Sequence, residues 1–167
     1  EVLYPMSRTD REEHTRLIAR ADYLITQGIV VDGAQLRQGK KLKMIQKFGI
    51  GVDKIDLDAA RELNIPVCIT AGANAVAVAE LAVGLMIAVN RRLPHVDRAV
   101  REGRWPKAEM RAQCYMLSGK TIGLIGIGNI AKEVARRLIG FGVEKILYYD
   151  IVHLPAETER QLRVCYA

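Results

Sequence analysis

Aromatic side chains are scarce in this chain of 167 residues: two Phe, one Trp and six Tyr. That scarcity bears on the net charge of +6, which would otherwise invite a nucleic-acid reading. Little is available to stack on bases, and no recognised nucleic-acid reader module is present. The basic residues are scattered in small groups (Lys40, Lys41 and Lys43; Arg91 and Arg92; Arg136 and Arg137), which reads as solvated faces. Cysteine is sparse too. Cys68, Cys114 and Cys165 are odd in number and widely spaced, with no CxxC pair. This excludes a disulfide framework and a zinc site, and suggests reduced thiols in a cytoplasmic protein. Long hydrophobic runs are lacking as well. The longest, Ala75 to Val89, is broken by Glu80 and Gly84 and is too short to span a bilayer. Nothing at the N-terminus reads as a signal peptide, so no membrane role is expected. Internal repeats and low-complexity segments are absent.

Half the residues are hydrophobic and 26% are charged, the composition of a soluble globular protein with a real core. The pattern alternates. "EVLYP" reads as a short strand, and "DREEHTRLIARA" (10–21) as a helix with acids in its first turn. "DYLITQG" is strand-like, "DGAQLRQG" a short helix, and "LKMIQKFG" (42–49) a strand entering a glycine loop. "DLDAARELNIP" reads as a helix capped by Asp56 that stops near Asn64, with Pro66 beyond it. "VCIT" (67–70) is another strand. Strands separated by helices at these intervals predict parallel pairing and an α/β layered fold. The helix after Asn74, "AVAVAELAVGLMIAVNRR", is apolar on every side, which predicts burial on most faces, between layers, domains or subunits. From Pro94 to Leu117 the text turns polar without a clean period and reads as a connection between two units.

The stretch "GKTIGLIGIGNIAKEVARRLIGFG" (119–142) carries the chemistry. An apolar strand runs into Gly126-x-Gly128-x-x-Ala131 and then into a helix with Ile130, Val134 and Leu138 on one face. Gly126 permits the tight turn, Gly128 lets backbone approach a pyrophosphate, and Ala131 lets the helix sit close on the strand. The helix N-terminus offers free amides to the phosphates. A second strand, "KILYYD", ends at Asp150, 24 residues after Gly126, where a carboxylate can accept hydrogen bonds from an adenosine ribose. Glycine-rich turns can also serve packing alone, but strand, turn, helix, strand and acid stand here in order, and the segment reads as a dinucleotide cradle.

Two blocks, "KFGIGVDKIDLDAARELNIPVCITAGANAVAVAELAVGLMIAVNRR" (47–92) and "LSGKTIGLIGIGNIAKEVARRLIGFG…ILYYD" (117–150), resemble the D-isomer-specific 2-hydroxyacid dehydrogenase family. The "GxGVDxID" loop, the "NxxxVAE" helix start and the nucleotide fingerprint together carry the likeness. The resemblance implies α/β architecture with two Rossmann-like or flavodoxin-like parallel-sheet domains, both only partly covered by this chain. The expected division is a substrate domain over 1–92, a connecting segment over 93–117, and the N-terminal half of an NAD-binding Rossmann domain over 118–167. It implies hydride transfer between a D-2-hydroxy acid or its 2-oxo acid and NAD. It puts Gly126, Gly128, Asn129 and Ile130 at the pyrophosphate, Asp150 at the ribose, and Ile50 and Val78 near the cofactor. Backbone around Ile50 and Gly51, with Asn74, would face the substrate carboxylate.

Asn74 can equally be a simple N-cap, and the glycines at 49 and 51 can simply make a tight turn. Glu80, inside an apolar helix, is expected to pair with backbone or an arginine. Asn129 stands where many members have arginine, Ala71 where proline is common, and Ala77 where serine is common. The family's catalytic histidine, carboxylate and arginine all fall after the region present, so no catalytic residue is expected in this chain. His14, His95 and His153 read as surface or packing residues. The resemblance thus implies the middle of a chain about twice as long, inactive on its own. The apolar helix and the connection after it predict a homodimer. An NAD(H)-sensing regulator without turnover is the alternative.

Overall fold

Local capping starts each early helix. In the computed structural model, which describes residues 2–167, the Asp10 carboxylate accepts from the Glu13 amide at 2.9 Å and opens α1 (Arg11–Arg20). Asp32 and Gln35 form a reciprocal capping box at α2 (Gly33–Gln38). Asp56 caps α3 (Leu57–Glu62), accepting from Ala59 at 2.9 Å; left-handed Asn64 and then Pro66 follow its end. Between these helices lie β1 (Tyr23–Thr26), β2 (Met44–Lys47) and β3 (Val67–Ile69), in the order β1-β2-β3 and all parallel. Register aligns Leu24, Ile45 and Val67 in one row, and this row meets Ile18, Leu36 and Ala59 from the helices in the core.

A longer helix, α4 (Ala75–Asn90), follows, then α5 (Leu93–Arg101) and α6 (Lys107–Gln113). The second sheet holds β4 (Thr121–Ile125), β5 (Lys145–Tyr149) and β6 (Val164–Tyr166), again parallel and in sequential order, with α7 (Asn129–Ile139) and α8 (Ala156–Leu162) as crossovers. Ile146, Tyr148 and Val164 pack against Val134, Ala135 and Leu138 of α7 and against Ala79 and Val83 of α4. Truncating any of the larger of these to alanine should cost about 2–5 kcal/mol. The Tyr148 hydroxyl donates to Glu159 at 2.6 Å and accepts from the Leu154 amide at 2.9 Å, so the buried phenol is satisfied. Burial, followed by the Glu159 bond, raises its pKa.

The chain divides into two compact units, Glu1–Ala73 and Asn74–Ala167. The division thus falls before α4, whereas the sequence places it after Arg92. The reason is packing: α4 lays Ala79 and Val83 into the core of the second sheet.

Two expectations are corrected. Residues 2–5 form no strand; Val2 and Tyr4 are exposed, with no neighbouring strand to take up their backbone groups. The polar run 94–117 contains two helices: α5 starts with a proline in its first turn and carries Leu93, Val96, Ala99 and Val100 at helical spacing, a short stripe set among charged residues. Within the single chain the long helix is covered along one line. Ala75, Ala79 and Val83 form the covered line, while Leu81 and Val89 on other sides are 62% and 75% exposed. Glu80 does meet an arginine, Arg137, at 3.4 Å, but on the surface, so no charge is buried.

Candidate functional site

The turn after β4 is built from backbone geometry outward. Gly126 has φ +87, a conformation that a side chain would strain, and its amide extends the ladder to the Tyr149 carbonyl at 2.7 Å. Ile127 is buried and pins the turn to the core. Its amide donates to Asp150 Oδ2 at 2.7 Å, and the Val152 amide donates to Oδ1 at 3.3 Å. The Ile127 bond first, then the Val152 bond, hold the Asp150 carboxyl below the usual carboxylate range, against the opposing effect of burial. Register pairing of Ile125 with Tyr149 sets Gly126 and Asp150 side by side at the sheet's C-terminal edge.

Gly128 is the N-cap of the eleven-residue α7 and carries no side chain to satisfy its first turn. Among the described residues, the amides of Asn129 and Ile130 have no hydrogen-bond partner. Gly128 has an extended φ of −70, and a Cβ built there would meet nothing within 4 Å. No protein atom therefore requires glycine at 128. Open space in front of unpartnered amides at a helix start, with a carboxylate fixed alongside, fits a dinucleotide diphosphate and its ribose.

In the first unit, β2 runs into Gly49, Ile50 and Gly51, where Gly49 has φ +131. The Gly49 amide donates to Thr70 Oγ1 at 2.6 Å, and the Thr70 amide donates back to the Gly49 carbonyl at 3.0 Å. The amides of Ile50 and Gly51 have no partner among the described residues. Two such free amides suit a carboxylate. At the start of α4, Asn74 occupies the N-cap position but makes no side-chain capping bond. The simple capping reading therefore fails, and its exposed amide is available. Val78, one turn on, is half-buried.

Gly126, Gly128, Asn129, Ile130 and Asp150 are thus brought to one edge of one sheet. Ile50 and Gly51 share a loop of the first unit, and Asn74 and Val78 share the first turn of α4. The sequence reading missed two features. One is the Asp150–Ile127 bond, a hint of which lay only in the acid's position at a strand end. The other is Thr70, for which no local signal exists. The histidines lie elsewhere: His14 Nε2 is 2.8 Å from the Ser7 carbonyl, His95 Nε2 is 3.3 Å from Glu109 without hydrogen-bond geometry, and the His153 ring stacks on Tyr166 at 3.6 Å. Among the described residues no cluster of ligating side chains could hold a metal, and no helix is long and apolar enough to cross a membrane.

A parallel α/β chain with a glycine turn, an uncapped helix start and a strand-end carboxylate defines the class of nucleotide-binding proteins with Rossmann-like sheets. The family model described as D-isomer specific 2-hydroxyacid dehydrogenase, catalytic domain, matches residues 2–162, and the chain belongs to that family. It is 41% identical over 158 residues to the hydroxypyruvate reductase of Thermotoga maritima, covering 94% of this chain and 49% of that protein. It is 36% identical to the D-3-phosphoglycerate dehydrogenase of Methanocaldococcus jannaschii over 92% of this chain and 29% of that one. Among solved structures, the holo form of Rhodotorula graminis D-mandelate dehydrogenase matches with a TM-score of 0.83 at 26% identity, over 98% of this chain and 52% of that one. A Granulicella formate dehydrogenase matches with a TM-score of 0.80 at 30% identity, over 96% and 43%. The chain spans about half the length, or less, of these relatives.

Proposed function

We propose that the full-length gene product is an NAD-dependent oxidoreductase that interconverts a D-2-hydroxy acid and its 2-oxo acid. The observation that carries this reading is the open Gly126–Gly128 turn, with free α7 amides beside a fixed Asp150. The unpartnered amides of Asn129 and Ile130 hold the pyrophosphate and Asp150 the adenosine ribose, and the family resemblance assigns Ile50 and Val78 to the cofactor as well. NAD, when bound, accepts or supplies the hydride. The Ile50 and Gly51 amides receive the substrate carboxylate, and the family resemblance assigns Asn74 to the same task. The free thiols suit a reducing, cytoplasmic setting. Loss of NADH absorbance with a panel of 2-oxo acids tests the reading. Steady turnover of at least one acid is expected. NADH binding without turnover of any of them would point instead to a sensor.

The same reading includes a homodimer. Leu81, Leu85 and Val89 of α4, with Trp105, Tyr115 and Met116 beyond it, leave large apolar side chains exposed, more than single scattered surface residues explain. Light scattering at micromolar concentration should give twice the protomer mass. Leu85→Glu should shift the equilibrium towards monomer, and a wild-type monomer would refute the assembly.

A further inference from the structure

The loop after β2 begins at a glycine in a conformation that few other residues adopt. Gly49 sits at φ +131, and both of its backbone polar groups are engaged by one residue, Thr70, which follows the end of β3. The Thr70 hydroxyl accepts from the Gly49 amide at 2.6 Å, and its own proton lies within reach of the Lys47 carbonyl at 3.2 Å and the Gly49 carbonyl at 3.4 Å. The Thr70 amide closes the arrangement on the Gly49 carbonyl at 3.0 Å. Thr70 is half-buried, so water competes poorly for these bonds. The next two amides, Ile50 and Gly51, are left without partners, and their direction follows from how Gly49 is held.

We infer that Thr70 is a positioning residue for substrate: its hydroxyl orients the Ile50–Gly51 amides that receive the 2-oxo acid carboxylate. The inference rests on the dehydrogenase reading above. A valine keeps the shape and removes the hydroxyl, leaving the Gly49 amide unsatisfied, whereas serine keeps the hydroxyl. The test uses the full-length gene product with NADH and the best 2-oxo acid. Thr70→Val should raise KM for the acid about tenfold, the effect of one lost hydrogen bond, and should change kcat less than KM. Thr70→Ser should restore KM to within about threefold, and the NADH dissociation constant should stay within about threefold in both. Amide hydrogen exchange at Gly49 should accelerate in Thr70→Val and recover in Thr70→Ser, a readout independent of turnover. An active wild type whose KM is unmoved by Thr70→Val overturns this inference and leaves the dehydrogenase reading standing. If Thr70→Val does not fold, Thr70→Ala replaces it, and an unchanged KM there is equally fatal. A wild type that turns over no 2-oxo acid removes the dehydrogenase reading, and this inference with it.

Discussion

The two glycine turns, Gly49–Gly51 and Gly126–Gly128, solve one problem with different chemistry. Each leaves the C-terminal end of a parallel strand through a glycine at positive φ, and each is tied by a side-chain oxygen that follows the neighbouring strand. The first tie is the neutral hydroxyl of Thr70; the second is the charged carboxylate of Asp150. What comes next differs as well. After Gly128 the chain enters an eleven-residue helix directly, so a row of free amides and the helix dipole face one point. After Gly51 it passes first through the isolated bridge between Val31 and Ile55, and the six-residue α3 begins only at Leu57. That loop offers two amides and no helix end. A diphosphate suits the former and a single carboxylate the latter: the turn sequences are alike, but their continuations differ.

The strongest way to break this contrast is to fill the space before α7. In Gly128→Val the added Cβ meets no atom within 4 Å, so the fold should survive while a pyrophosphate is blocked. NADH affinity, followed by fluorescence titration on the full-length product, should fall on the order of 100-fold or more, with the melting temperature unchanged within a few degrees. A large drop in melting temperature, or unchanged affinity, would mean that glycine at 128 serves packing after all.

A smaller effect sharpens the difference between the two ties. Asp150→Asn keeps an acceptor for the Ile127 amide but removes the charge, and NAD affinity should fall about tenfold. Discrimination against NADP should narrow with it, because the carboxylate no longer repels a 2′-phosphate. Cofactor titrations on both proteins check this, and equal NADP rejection by the two would sink it. The pH dependence follows from the same group. Its native pKa lies below the ordinary 3.8, so its stabilising contribution is complete above that value and fades as pH falls through the lower native one. Exchange protection of the Ile127 amide should therefore weaken under strong acid in wild type and not in Asp150→Asn. Protection at Gly49, held by a hydroxyl, should show no such step.

What could be read directly from the chain was local. Asp10, Asp32 and Asp56 announce their helices because each cap is completed within three residues. The dinucleotide turn is legible for the same reason, since turn, helix start and strand-end acid are consecutive features of one βαβ unit. The two short helices after α4 escaped because the apolar stripe of α5 spans only nine residues among charged ones, and α6 buries no residue. The segment α8–β6 lies past the last motif, and its two buried residues, Leu162 and Val164, left no pattern to read.

The amino-acid sequence by itself determined the parallel α/β character, the places where helices begin, and the glycine turn with its acid, because these depend on near neighbours along the chain. Tertiary structure alone decided which side of α4 is covered, since a helix apolar on every side has no preferred face until α7 supplies one. It also decided that Val2 and Tyr4 stay out of any sheet, since a strand exists only where another strand takes up its backbone bonds. Thr70 belongs to the same class. Its hydroxyl meets Gly49 across a sequence separation of 21, and only the pairing of β2 with β3 brings the two together.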